Sequence, residues 1–197
     1  METSVLLSLI AGIGFNVAYL DYNRSVLSGK TIPNGATWGI WSAGALVSTG
    51  SYLSMTGDIW KSLIPLSNVF FCIATFLFAL NKRKFKKIDK GDSLALMVGV
   101  VAVVIWYVYQ SATYANMIAQ IGILLGFVPI WRAIWKDPTV EHHRPWWIWG
   151  TAYCVMFVVV IMRWNHWVDL VYPVNCLILH LSVPVLSHVR ERQIAPY

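Results

Sequence analysis

Charge is scarce in this chain: only 12% of its 197 residues are Asp, Glu, Lys or Arg, against a hydrophobic share of 57% and a mean hydropathy of +0.59. A soluble domain of this size would have to turn much of that apolar surface to water, so the composition excludes one and makes a bilayer the expected solvent. Cysteine is scarcer still. Cys72, Cys154 and Cys176 are odd in number and all fall in apolar stretches, so they offer no complete disulfide framework and behave as small hydrophobes. The amino terminus lacks the basic stretch of a secretion signal and carries Glu2 instead, so the first apolar stretch is expected to remain in the mature protein. Paired carboxylates, a nucleophile elbow and a metal triad are all missing from the apolar stretches, which leaves no enzymatic chemistry, metal or cofactor to expect.

What is abundant is long apolar sequence. Crossing about 30 Å of hydrocarbon takes about 20 mostly apolar residues, and seven stretches qualify: 4–23, 36–55, 60–80, 92–110, 112–135, 146–164 and 167–188. The net charge of +6 does not form a nucleic-acid face, because the cations flank the apolar stretches. With seven spans, Arg24, Lys30, Lys82, Arg83, Lys84, Lys86, Lys87, Lys90, Arg132, Lys136, Arg144, Arg190 and Arg192 share one side, and only Lys61 and Arg163 occupy the other. The positive-inside rule then puts the amino terminus outside and the carboxyl terminus in the cytoplasm. The expected protein is an all-α, multi-pass integral membrane protein of a plasma (inner) membrane.

The chain also repeats itself. A constant offset of 108 residues lays Ile10 on Ile118, Gly14 on Gly122, Arg24 on Arg132, Thr31 on Thr139, Trp38 on Trp146 and Trp41 on Trp149, and an offset of 107 continues with Trp60 on Trp167 and Asn68 on Asn175. The matched pieces are spans one to three and five to seven, and the fourth is a connector. The expected organisation is 1–81 as a first three-helix repeat, 82–111 as a basic loop and linker helix, and 112–197 as a second repeat. An inserted odd helix makes the two repeats run parallel, related by an axis along the membrane normal.

Several residues could carry chemistry. Asn68 and Asn175 stand at matched positions shortly after Pro65 and Pro173, and a pair of amides facing each other across a cavity could grip the hydroxyls of an uncharged solute. The bland alternative is interhelical glue. Trp38, Trp41, Trp146 and Trp149 open the second and sixth spans, either as interface anchors or as rings that stack on a flat solute. Asp58 and Arg163, at the sparsely charged side, are placed for a reversible contact between the halves; Lys61 and Asp169 lie close to them in sequence. Asp21 pairs locally with Arg24 or serves as a proton site. His180 is expected to bond a neighbouring helix, and Glu141, His142 and His143 to form a polar cytoplasmic loop.

Two three-helix units around a linker helix resemble the PQ-loop and SWEET superfamily of transporters, over nearly the whole chain. Neither copy holds a literal Pro-Gln pair: Pro129 is followed by Ile130, and Asp21 and Tyr22 stand at the corresponding place in the first copy. The resemblance implies a sugar pocket lined by the asparagines of the third and seventh helices, here Asn68 and Asn175. Single-repeat bacterial relatives are similar in closing the outer side with a tyrosine, an arginine four residues on and an aspartate two further. Tyr52 and Asp58 keep that spacing around Thr56, and Arg163 takes the place of Thr56 in the second copy, which implies an outer gate split between the halves. The expected function is facilitative uniport of a small neutral polar solute such as a sugar, by alternating access in the lipid bilayer, with room for a homo-oligomer. The alternatives are a PnuC-like carrier of a vitamin or nucleoside precursor and a binding receptor similar to the KDEL receptor.

Overall fold

The computed structural model describes residues 2–82, 97, 104, 107, 108 and 111–194. Six long helices make up nearly all of the described chain: α1 (Thr3–Leu27), α2 (Gly35–Thr56), α3 (Leu63–Asn81), α4 (Ala112–Lys136), α5 (His143–Met162) and α6 (Val171–Ile194). Short 3-10 turns at Pro138–Val140 and Trp167–Leu170 lead into the last two. Nearly all of the expected fourth span, and of the basic stretch from Lys82 to Asp92, lies outside the described residues. Among the described residues, five helices are long and apolar enough to cross a membrane: α1, α3, α4, α5 and α6, the last taken with the turn before it.

α2 is long enough but falls short in hydropathy, and its packing gives the reason. Thr37, Ser48, Thr49 and Ser51 point inward and are buried, where each hydroxyl finds a partner. Thr49 donates to the Pro65 carbonyl of α3 at 2.8 Å and Thr37 to the Gly126 carbonyl of α4 at 2.9 Å. Small residues and hydroxyls on contact faces are how helices associate where the surrounding solvent is as apolar as the helices themselves.

The same inversion runs along α1. Its buried positions include Ser4, Ser8, Ala11, Gly12, Phe15, Ala18, Tyr19 and Tyr22, spaced three or four apart, while Leu6, Ile10, Ile13, Val17 and Leu20 face outward. Ile13 is 65% exposed and Phe70 of α3 is 76% exposed. An exterior of large aliphatic and aromatic side chains fits hydrocarbon and would be unstable in water.

Neighbouring helices form a closed ring in the order α1, α3, α2, α4, α6, α5 and back to α1. Exchanging α1, α2 and α3 for α4, α5 and α6 leaves that order unchanged. The two units therefore meet twice in equivalent fashion, α2 on α4 and α1 on α5, and these are the two most extensive contacts in the ring. The loops that follow α1 and α4 hydrogen-bond each other, Ile32 to Val140 and His142 to Thr31, so these two helices finish at the same end of the bundle.

Pro65 and Pro173 each occupy the third position of their helix, within the first turn. A helix has no use for those backbone N–H groups, so neither proline interrupts its helix. The prolines inside helices are Pro129 of α4 and Pro184 of α6.

Candidate functional site

Where the two units meet, at mid-depth, the ring encloses a narrow cavity of ≈ 30 Å³, room for a water or two. Repeat-equivalent positions contribute to its wall in pairs: Tyr19 of α1 with Phe127 of α4, Trp41 of α2 with Trp149 of α5, and Ala45 with Tyr153. Asn68 and Cys72 of α3 and Tyr172, Cys176 and His180 of α6 complete most of the remainder. None of the lining side chains is an acid, a lysine or an arginine.

The rings of this wall hold each other edge to face. Tyr19 meets Trp149 at 4.9 Å and 74°, and Phe15 meets Tyr153 at 5.4 Å and 82°. Such pairs add about 0.5–1.5 kcal/mol each beyond the area they bury, which fixes the shape of the wall. Trp41 reaches α4 at a point where no side chain stands: a Cβ on Gly126 would lie inside the Trp41 indole. That approach lets Trp41 Nε1 donate to the Ile123 carbonyl at 3.2 Å.

Hydrogen-bonding capacity at the cavity is largely committed, with three exceptions. Trp149 Nε1 is buried and has no partner. Asn68 accepts the Tyr19 hydroxyl at 2.6 Å through its amide oxygen, and its amide nitrogen meets no acceptor among the described residues. His180 sets Nδ1 2.7 Å from the Cys176 carbonyl. That bond requires a proton on Nδ1 and leaves the Nε2 lone pair for another donor, an assignment made from the bonding pattern. The cavity thus offers two donors and one acceptor to an uncharged guest.

Beyond the cavity the two ends of the bundle are closed. At the sparsely charged end, Arg163 Nε bonds Asp58 at 2.6 Å, and its Nη1 reaches Glu2 and Ser4, each at 3.0 Å. Partial burial pushes the Asp58 carboxyl up, but hydrogen bonds from Arg163 and from the backbone of Trp60 and Lys61 outweigh it and hold the group below the ordinary carboxylate range. One layer deeper, Lys61 bonds Asp169 at 2.7 Å with both side chains 1% exposed. Tyr52 donates its hydroxyl to the Asp169 carbonyl at 2.8 Å. All three ion pairs join one unit to the other.

At the basic end the loops before α2 and α5 meet. Ile32 N–H bonds the Val140 carbonyl at 3.1 Å and His142 N–H bonds Thr31 Oγ1 at 3.0 Å. Between them Glu141 is buried, 4% exposed, with Trp146 Nε1 donating to it at 3.1 Å. Burial pushes its carboxyl up to about 8, and the Trp146 bond offsets only part of that. The exposed polar loop expected from the sequence is thus buried at its first residue.

The other candidates divide. Trp38, Trp41, Asn68 and Trp149 line the cavity, and Trp146 lies immediately behind it against Trp149 and His180. As interface anchors these rings would be exposed, yet Trp38, Trp146 and Trp149 are 0–2% exposed. Asn175 does not face Asn68 across the cavity. Its amide donates to the backbone and side-chain oxygens of Gln120 at 3.2 and 3.1 Å, in a polar seam that continues through Gln120 to Ser48 of α2. Asp21 pairs with Arg144 of α5 at 3.4 Å instead of with Arg24. His180 bonds its own helix instead of a neighbour.

Residue-by-residue reading passed over Tyr19, Phe127, Gln120 and the Lys61–Asp169 pairing. Tyr19 and Phe127 were findable, being aromatic at repeat-equivalent positions; the ion pair joins residues 108 apart that carry opposite charges, a signal that identity matching discards. No group of three or more metal-ligating side chains occurs among the described residues. Comparison with family models, curated proteins and solved structures finds no match.

Proposed function

We propose that this chain is a carrier for a small uncharged polar solute such as a sugar, working by alternating access in a plasma (inner) membrane. The reading takes seven spans in a 3+1+3 arrangement with the amino terminus outside and the carboxyl terminus cytoplasmic. One observation carries it: a charge-free cavity with uncommitted donors and an acceptor lies on the seam between two topologically equivalent units, with separable closures at both ends. The guest would displace the tight rings by moving one unit against the other. Asp58–Arg163 and Lys61–Asp169 would part on the outer side, and the Ile32–Val140 and Thr31–His142 contacts on the inner side. Aromatic walls with a few placed polar groups are the usual make-up of a small-molecule site.

The test is uptake of labelled sugars into proteoliposomes. Trp149→Phe keeps a ring but removes the uncommitted N–H, and Asn68→Ala removes the amide; each is expected to cut uptake by about tenfold, the equivalent of one good hydrogen bond in a dry site. Uptake equal to that of the unaltered chain in both variants would sink the site assignment.

A second reading, a PnuC-like carrier of a vitamin or nucleoside precursor, draws on the predominance of rings in the wall, which suits a flat solute. Thermal unfolding in the presence of sugars, nicotinamide riboside or thiamine separates the two, since a ligand bound only by the native state raises its unfolding temperature. A receptor similar to the KDEL receptor finds less support, because a peptide carboxylate would want a cation in a cavity that has none.

A further inference from the structure

At the basic end of the bundle, on its outer surface, α4 and α6 enclose an open groove of ≈ 350 Å³ that is separate from the cavity. Its floor is Val128, Trp131 and Trp135 of α4 with Leu186 of α6, and its rim carries Arg132 and Lys136. The two cations sit one turn apart on a single face of α4, both exposed. Neither makes an ion pair or hydrogen bond with any described residue.

A third cation lies against Trp135 of the groove floor. Arg190 lies with its guanidinium 4.3 Å from the centre of the Trp135 ring, and it donates to the Trp135 carbonyl at 3.0 and 3.3 Å. Among the described residues it has no carboxylate partner: its remaining bond goes to the Gln193 side chain. One turn toward mid-depth from Val128, on the same face of α4, Leu124 is 40% exposed and extends the aliphatic surface. The groove therefore joins positive charge that has no ion-pair partner among the described residues to apolar surface farther along α4.

We propose that this groove binds an anionic phospholipid, its phosphate held between Arg132 and Lys136 and one acyl chain lying along Val128 and Leu186 toward Leu124. Charge complementarity selects the occupant. A zwitterionic lipid brings its own cation close to Arg132 and Lys136, whereas a phosphatidylglycerol headgroup brings only negative charge. Trp135 stacks under Arg190 and so keeps the rim in place without a carboxylate that would compete for it. The site is independent of whatever the central cavity carries.

The test uses the full chain reconstituted in phosphatidylcholine vesicles at low ionic strength. Phosphatidylglycerol with brominated acyl chains is titrated in, with brominated phosphatidylcholine as the comparison. Bromine quenches nearby indoles, and Trp131 and Trp135 line the groove. Phosphatidylglycerol is expected to bind about thirtyfold more tightly than phosphatidylcholine, since each surface cation contributes roughly fivefold. Arg132→Gln with Lys136→Gln should bring the two lipids to parity, and Lys30→Gln, a cation at the same end outside the groove, should leave the preference intact. Equal quenching by both lipids overturns the proposal, as does a preference that survives the double substitution or falls as far in Lys30→Gln.

Discussion

At the scale of single residues, the informative side chains are the buried ionisable ones. Lys61 and Asp169 are dry and joined, so the pair as a whole adds little to stability, while removal of one partner strands the other. Lys61→Met is expected to lower the unfolding free energy by about 3–5 kcal/mol. Asp58→Asn, which leaves Arg163 its contacts to Glu2 and Ser4 in a partly wet setting, should cost about 1 kcal/mol or less. Thermal unfolding in detergent measures both, and comparable losses would contradict the difference in burial. Glu141 adds a pH dependence. Its folded carboxyl is pushed up to about 8 from an ordinary value of 4.5, so the folded state holds a proton that the unfolded state has released across that window. Stability is therefore expected to be fullest below about 4.5, to fall as pH rises toward 8, and to level off above. Glu141→Gln, which can still accept from Trp146, should remove that slope from the unfolding temperature measured against pH.

At the scale of helices, the α2–α4 contact depends on one missing side chain. Gly126→Ala places a methyl group where the Trp41 indole lies, and an indole pinned between Phe127 and Trp38 cannot swing away freely. The expected loss is about 1–3 kcal/mol, the range for overpacking, with a change in tryptophan fluorescence as Trp41 shifts. Gly122→Ala, one turn earlier on the same helix, meets nothing within 4 Å and should be tolerated. Equal effects in the two variants would show that helix propensity, not the close approach, governs this face. α2 also shows how far hydropathy carries an assignment: its hydroxyls lower its apolar score because they supply the inward bonds to α3 and α4.

At the scale of the whole molecule, the ring is held shut across the seam at both ends, and carrier function requires each end to release in turn. Replacing Asp58 and Arg163 by cysteine in a chain with Cys154→Ser, and oxidising the pair, is expected to stop uptake, with recovery on reduction. Uptake that continues after complete cross-linking would remove that end from the transport cycle. The duplication made Trp38, Trp41, Trp146 and Trp149 legible as a set, and the scarcity of charge on one side made Asp58 and Arg163 legible as partners. Asn175 was not legible, because an amide reads the same whether it turns to a cavity or to Gln120. Glu141 was missed for a related reason: a charged residue between helices looks solvated until the opposite loop covers it.

The sequence by itself determined that the chain is apolar enough for a bilayer, that it repeats, and that several helices are long and apolar enough to cross, since these follow from composition and period along a single strand of residues. Only the tertiary structure decided which polar groups meet. Partners such as Lys61 and Asp169, Asn175 and Gln120, or Glu141 and Trp146 depend on the rotation of each helix about its own axis. Where nearly every face is apolar, hydropathy does not specify that rotation. It is fixed by the few polar bonds and close glycine contacts that form once the helices stand side by side.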